Sequence, residues 1–218
     1  MSITDELQFK NYYLERLYIT ANVETGVLYN RAGRRMLALT NDFLIGLHRA
    51  LEKECGSKTE QVLHRCGKRW GRDFGKGMDA EWTLFYEHPA REFPVAFFQS
   101  LLIQEFGQNG WGLLDLDYQY FDKGVIQLSL QGAIMSDIYR DDITYSADAL
   151  TAGILAGLFS HFLGRDVDCV QSQCAKQGHS SSLFLLSSPE RIATIRDQGV
   201  DGKAHANILN TLLETGAN

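Results

Sequence analysis

Between Leu113 and Gln131 the apolar residues fall into a strict two-residue rhythm. Leu114, Leu116, Tyr118 and Tyr120 alternate with Asp115, Asp117 and Gln119. After Asp122, Lys123 and Gly124, Ile126, Leu128 and Leu130 alternate with Gln127, Ser129 and Gln131. Successive strand side chains point to opposite faces, so this stretch predicts a hairpin with one buried face and one wet face. Upstream the rhythm is helical. A helix is expected over 5–21, with Leu7, Tyr13 or Leu14, Leu17 and Tyr18 at roughly helical intervals. Two short strands over 27–30 and 35–39 follow, around a turn at Arg31 to Arg34. Thr40, Asn41 or Asp42 then caps a helix that stops near Gly56. The next begins at Ser57 or Thr59 and carries the stripe Val62, Leu63, Cys66, Trp70 and Phe74. Another covers 93–106.

Downstream of the hairpin, Ser146 is placed to cap a helix over 147–163, which Gly164 closes. Strands are expected over 166–174 and 180–187. Leu183, Phe184, Leu185 and Leu186 make the second apolar on both faces, as in a central strand. Ser188 and Pro189 open another helix, proline being tolerated in a first turn, and a short helix over 204–213 ends the pattern. No internal repeat or low-complexity linker interrupts it. Helices and hairpins are segregated along the chain, which indicates an α+β fold: a twisted antiparallel sheet with helices against one face.

The 218 residues are 44% hydrophobic and 22% charged, with a net charge of −6. That balance argues against a general nucleic-acid footprint, which is basic. The first ten residues are polar and acidic, unlike a secretory leader. The apolar run 154–163 is too short to span a membrane. Four cysteines without the spacing of a small secreted domain fit a reducing compartment. The expected location is cytoplasmic, with peripheral membrane attachment left open.

Catalytic signatures are scarce. The sequence has no G-x-S-x-G elbow, no H-E-x-x-H and no G-x-G-x-x-G after a strand. The run from Gly71 to Gly77 lacks the spacing and hydroxyl of a phosphate loop. The pattern therefore points to binding rather than catalysis. Cys169, Cys174 and His179 are the weak metal candidates, and zinc is not expected, because an unbent strand turns the two cysteines to opposite faces. The basic run from Arg65 to Lys76 reads as a solvated helix face or as a docking surface for carboxylates.

On the 147–163 helix, Ala149, Gly153 and Gly157 form one row of small residues and Ala152, Ala156 and Ser160 another. Small rows admit either a packed backbone or a flat ligand. Gly67, Gly71, Gly75 and Gly77 weaken the earlier helix by about 1 kcal/mol each relative to Ala, a cost that accompanies close packing or a bend. His161 reads as a hydrogen-bonded histidine or as an axial ligand to a tetrapyrrole metal. The candidate ligand site is Gly153, Gly157, His161, Phe162, Tyr118 and Tyr120.

The step at Gly164 and Arg165, a strand, and then QSQCAKQGHSSSLFL from Gln171 to Leu185 resemble the 4-vinyl reductase domain. The likeness covers mainly 90–187, with a helix and hairpin before it (1–56) and helices after it (189–214), all in one domain. It implies a ligand pocket between helices and a twisted sheet, in a fold similar to haem nitric-oxide-binding domains and vesicle-tethering subunits, often as a homodimer. Phenol-sensing members hold zinc through a Glu and cysteines. Here Gln171 takes the Glu position, Cys174 matches, and Ser182 stands for the last Cys, so the resemblance implies a zinc site absent or remodelled. The haem signature Y-x-S-x-R is missing. No DNA-binding or ATPase module is seen, which sets the expectation of a stand-alone member rather than a full activator.

The implied function is non-catalytic binding of an apolar or tetrapyrrole-like molecule. Its expected setting is chlorophyll biosynthesis or photosystem II assembly, with pigment-synthesis or photosystem proteins as partners. An interaction module, an effector sensor for aromatic compounds and a vinyl reductase are the alternatives.

Overall fold

Phe184 and Leu185 are neighbours on one strand, point to opposite faces, and are both 0% exposed. The sheet that holds them is covered on both sides. The computed structural model describes residues 11–14, 16–138, 148–199 and 203–215. It contains a small antiparallel sheet of β1 (Ile19–Asn22), β2 (Val27–Asn30) and β3 (Arg35–Met36). A second sheet contains β4 (Leu113–Asp117), β5 (Ile126–Gln131), β6 (Asp168–Gln173) and β7 (Ser182–Ser187), antiparallel in the order β4-β5-β7-β6. Its register sets Leu116 opposite Leu128 and Leu128 opposite Phe184, one apolar row across three strands.

The helices are α1 (Asn41–Cys55), α2 (Thr59–Tyr86), α3 (Val95–Gln108), α4 (Ile134–Ile138), α5 (Ala149–Phe162), α6 (Pro189–Asp197) and α7 (His205–Glu214). On one face of the larger sheet, Leu114, Leu128 and Phe184 share a core with Leu155 and Phe159 of α5, Trp82 of α2 and Leu102 of α3. On the other, Val170 and Leu185 pack against Ile192 and Ile195 of α6 and Ile208 and Leu212 of α7. The expectation of helices on one face is thus corrected to both. The doubly apolar β7 is the physical reason, since each of its faces must be removed from water.

Helices α2 and α5 approach each other glycine to backbone. A Cβ added at Gly67 would lie 2.2 Å from the Leu150 carbonyl oxygen, and one at Gly71 2.2 Å from that of Ile154. From the other side, a Cβ at Gly153 would lie 2.1 Å from the His64 oxygen, and one at Gly157 2.0 Å from that of Lys68. Gly67 and Gly71, two of the glycines that weaken α2 as an isolated helix, allow this contact, whereas Gly77 faces the Arg34 guanidinium.

Other boundaries also move. Residues 5–10 and 15, within the expected first helix, lie outside the described residues. Residues 12–14 form a turn and 19–21 are strand. Tertiary bonds override the helical spacing: the Tyr12 hydroxyl donates to Glu81 (2.8 Å) and that of Tyr18 to Glu105 (2.7 Å). The strand expected over 35–39 closes after Met36. Helix α2 continues through Gly75 and Gly77 to Tyr86, where Glu87 turns left-handed at φ 62°. Ser146 lies outside the described residues, and Asp148 stands at the N-cap of α5. Strand β4 ends at Asp117, whose carboxylate accepts from the Gln119 backbone N–H (2.8 Å), so Tyr118 and Tyr120 fall beyond it. Among the described residues, no helix is long and apolar enough to cross a membrane.

Candidate ligand-binding cavity

Cys66, Trp70 and Phe74 recur every fourth residue on α2, in a row beside Gly67, Gly71 and Gly75. The glycine row lets α5 come close. The bulky row then projects past α5 and leaves a step beside Leu150, Thr151 and Ile154. That step is one wall of a cavity of about 900 Å³. The small sheet contributes Leu28 and Met36, α4 contributes Ile134 and Met135, and the end of α3 contributes Phe106 and, just beyond it, Trp111. The segment leading into α1 adds Leu37 and Leu39, and α1 itself adds Leu44.

An aromatic cluster forms part of the cavity wall. Trp70 stacks on Phe74 with centroids 5.2 Å apart, and Trp111 meets Trp70 at 5.2 Å and Phe74 at 5.1 Å. Phe106 closes edge-on against Trp111 at 5.1 Å. Such contacts fix ring orientation while leaving π-faces and edges for a guest.

Behind the apolar lining, two carboxylates hold the hairpin wall in place. Glu105 is 2% exposed and accepts from the Tyr13 hydroxyl, the Tyr18 hydroxyl and Asn109 Nδ2 (3.0 Å). Burial pushes its carboxyl above the usual range, and those donors pull it back in part. Glu81 accepts from Tyr12, from Asn30 Nδ2 (2.9 Å) and from Arg34 (2.8 Å). Tyr18, Asn30, Arg34 and Asn109 all line the cavity, so this network anchors one wall to α2 and α3.

The residues singled out in the sequence lie elsewhere. Gly153 and Gly157 face the α2 backbone, so the room their small size creates is filled by that helix. His161 Nε2 is 2.9 Å from Asp79 Oδ2. Phe162 stacks on Trp82 at 5.7 Å. Tyr118 meets Phe121 edge-on, and burial pushes its hydroxyl up to about 12. Tyr120 packs against the α6–α7 core. None of the six lines the cavity.

Cys169 is buried in the sheet core, its thiol pushed up by burial, and His179 is exposed. Gln171, Cys174 and Ser182 do come together, around Asp148. Its Oδ2 accepts from Ser136 Oγ (2.5 Å), Ser182 Oγ (2.6 Å) and Gln171 Nε2 (2.8 Å), and Cys174 Sγ lies 3.7 Å from Ser136 Oγ. Neutral hydroxyl and amide groups stand where zinc would need charged donors. Among the described residues, no three His, Cys, Asp or Glu side chains converge on a metal position. On the basic face, Lys68 and Arg72 reach Asp166 at 3.2 and 2.6 Å, which ties α2 to the turn after α5.

The cavity residues stood outside the candidate set because Trp70 and Phe74 read only as part of one helix stripe. The available signal was the juxtaposition of a small row and a bulky row on one helix.

No protein-family model matches the chain, and no curated protein matches it by sequence. Among solved structures it is similar to the phenol-responsive sensory domain of the transcription activator PoxR with phenol. That match has a TM-score of 0.62 and 14% identity over 97% of each chain. It shows that the two share an α+β fold. The chain is also similar to a vinyl-4-reductase family protein from Methanocaldococcus jannaschii, with a TM-score of 0.45 and 15% identity over 70% of this chain and 82% of that one. A trafficking protein particle complex subunit 3 from Naegleria fowleri, covalently bound to palmitic acid, matches with a TM-score of 0.48. Its identity is 10%, over 67% of this chain and 93% of that one.

Proposed function

We propose that this chain is a ligand-binding domain that takes an apolar small molecule into the cavity between α2, α5 and the N-terminal hairpin. The observation that carries this reading is the 900 Å³ space walled by Trp70, Phe74, Phe106 and Trp111. Pockets for small molecules are concave, largely apolar and of about 300–1,000 Å³. The fold shared with a phenol-responsive sensory domain supports it. The test uses the fluorescent probe N-phenyl-1-naphthylamine. It binds the protein, and Cys66→Trp, which adds bulk from an exposed position on the wall, weakens binding at least about tenfold, the loss of one well-packed contact. No binding, or equal binding by the variant, overturns the reading.

From the sequence resemblance we further propose a tetrapyrrole-like ligand and a setting in pigment synthesis or photosystem assembly in the cytoplasm. Among the described residues the lining offers Cys66, Met36 and Met135 but no histidine, so such a ring would be held by its faces rather than by an axial nitrogen. Chlorophyll precursors then shift their absorbance on mixing. Unshifted spectra remove the tetrapyrrole and leave the apolar ligand.

A second reading, association with another copy, is favoured by exposed side chains along α1 and the segment before it. Leu37 is 77% exposed, Phe43 53% and Leu47 46%. Large exposed apolar side chains grouped along one segment favour an interaction surface. Light scattering on Phe43→Glu against the parent protein reads it: a dimer becomes a monomer, and an unchanged mass excludes it.

A further inference from the structure

We propose that the ligand is amphipathic: an apolar or aromatic body lies against Trp70 and Trp111, and an anionic group is held by Arg35 at the cavity's solvent side. This rests on the reading of the cavity as a ligand site and adds the chemical class of the guest.

The argument is one of charge. The chain carries a net −6, yet among the described residues no Asp or Glu lines the cavity, while two arginines do. The two differ. Arg34 is engaged: its guanidinium is 2.8 Å from Glu81 and 5.6 Å from the Phe74 ring centroid. Arg35 is exposed and makes no ion pair, side-chain hydrogen bond or ring contact among the described residues. Its neighbour Met36 packs on the core, so β3 is fixed, while no described residue takes up the donors of the Arg35 guanidinium.

The carboxylates that brace the wall do not compete for that role. Glu81 and Glu105 each accept from three side chains, and Glu105 is buried behind Tyr18 and Asn109. A guanidinium fork with free donors at the edge of an apolar space matches a carboxylate, sulfonate or phosphate carried by a hydrophobic body.

Two probes with one body separate the charge from the cavity. 8-Anilinonaphthalene-1-sulfonate carries a sulfonate, and N-phenyl-1-naphthylamine is the same ring system without it. Dissociation constants are measured by fluorescence for the parent protein, Arg35→Gln and Arg35→Lys. Arg35→Gln is expected to weaken the sulfonate about tenfold, the loss of a hydrogen-bonded charge contact. The neutral probe should change by less than about twofold on the same scale, and Arg35→Lys should recover part of the loss. Raising the salt should weaken only the sulfonate. If both probes bind and Arg35→Gln affects them equally, the anionic class is wrong and the apolar cavity stands. If neither binds, the cavity reading and this inference fail together.

Discussion

Gly153 on α5 lies so close to His64 on α2 that a Cβ at the glycine would stand 2.1 Å from the His64 carbonyl oxygen. No side-chain rotation relieves a clash with backbone, so the helices would have to separate. Gly153→Ala is therefore expected to destabilise the fold by about 2–3 kcal/mol, the upper part of the overpacking range. Gly46→Ala on α1 is the control: nothing lies within 4 Å of its added Cβ, so helix propensity alone predicts a gain of about 0.5–1 kcal/mol. Urea midpoints for both variants check this. Equal effects would mean that α2 and α5 are not in backbone contact.

His48 is 1% exposed, and burial lowers its pKa from 6.5 to about 4. Below pH 6.5 the unfolded chain takes up a proton that the folded chain refuses, so stability falls as pH drops through that window. Burial also lowers the pKa of His205, which adds the same sign. From pH 7 to pH 5, His48→Gln should lose about 1 kcal/mol less than the parent protein, a discounted share of the 1.36 kcal/mol per pKa unit. Denaturation curves at the two pH values measure the difference. Identical losses would show that His48 is not held neutral.

Asp148 gathers Ser136, Ser182 and Gln171 within 2.8 Å of one carboxylate oxygen, with Cys174 adjoining through Ser136. Gln171→Glu with Ser182→Cys would turn this into two thiols and two carboxylates, a set that suits zinc. The double variant is expected to retain one zinc per chain after dialysis, and the parent protein far less. Metal analysis of both checks it. Equal zinc in the two would mean that the cluster does not converge as described.

Cys66 is exposed and lines the cavity, whereas Cys169 is buried. A ligand in the cavity should shield the Cys66 thiol from maleimide. At ten times its dissociation constant, N-phenyl-1-naphthylamine should slow the labelling of Cys66 about tenfold, as occupancy requires, and leave Cys55 unaffected. Peptide mass spectrometry resolves the two sites. Unslowed labelling would place the probe elsewhere.

Much of the fold was legible because local rules govern it. The period-two alternation around Leu116 and Leu128 set the hairpin, and the doubly apolar β7 set its central place. The small rows on α5 were also legible, but they allowed either a ligand or a backbone, and only the partner helix decides between them. Gly67 and Gly71, four apart on α2 and facing Leu150 and Ile154, are that partner. The cavity was not legible because its walls come from segments as distant as Leu28, Trp70, Trp111 and Ile154. No single stretch carries that pattern. The alternation runs on through Tyr118 and Tyr120, but the backbone turns after Asp117 and the strand ends there.

The most direct test of the ligand site is a crystal structure of the protein grown with N-phenyl-1-naphthylamine. The account predicts electron density for the naphthyl ring against Trp70, Phe74 and Trp111, with α2 and α5 still in contact through Gly67, Gly71, Gly153 and Gly157. Density for the probe between those glycines, or a cavity filled by the chain's own side chains in a structure without probe, would contradict it.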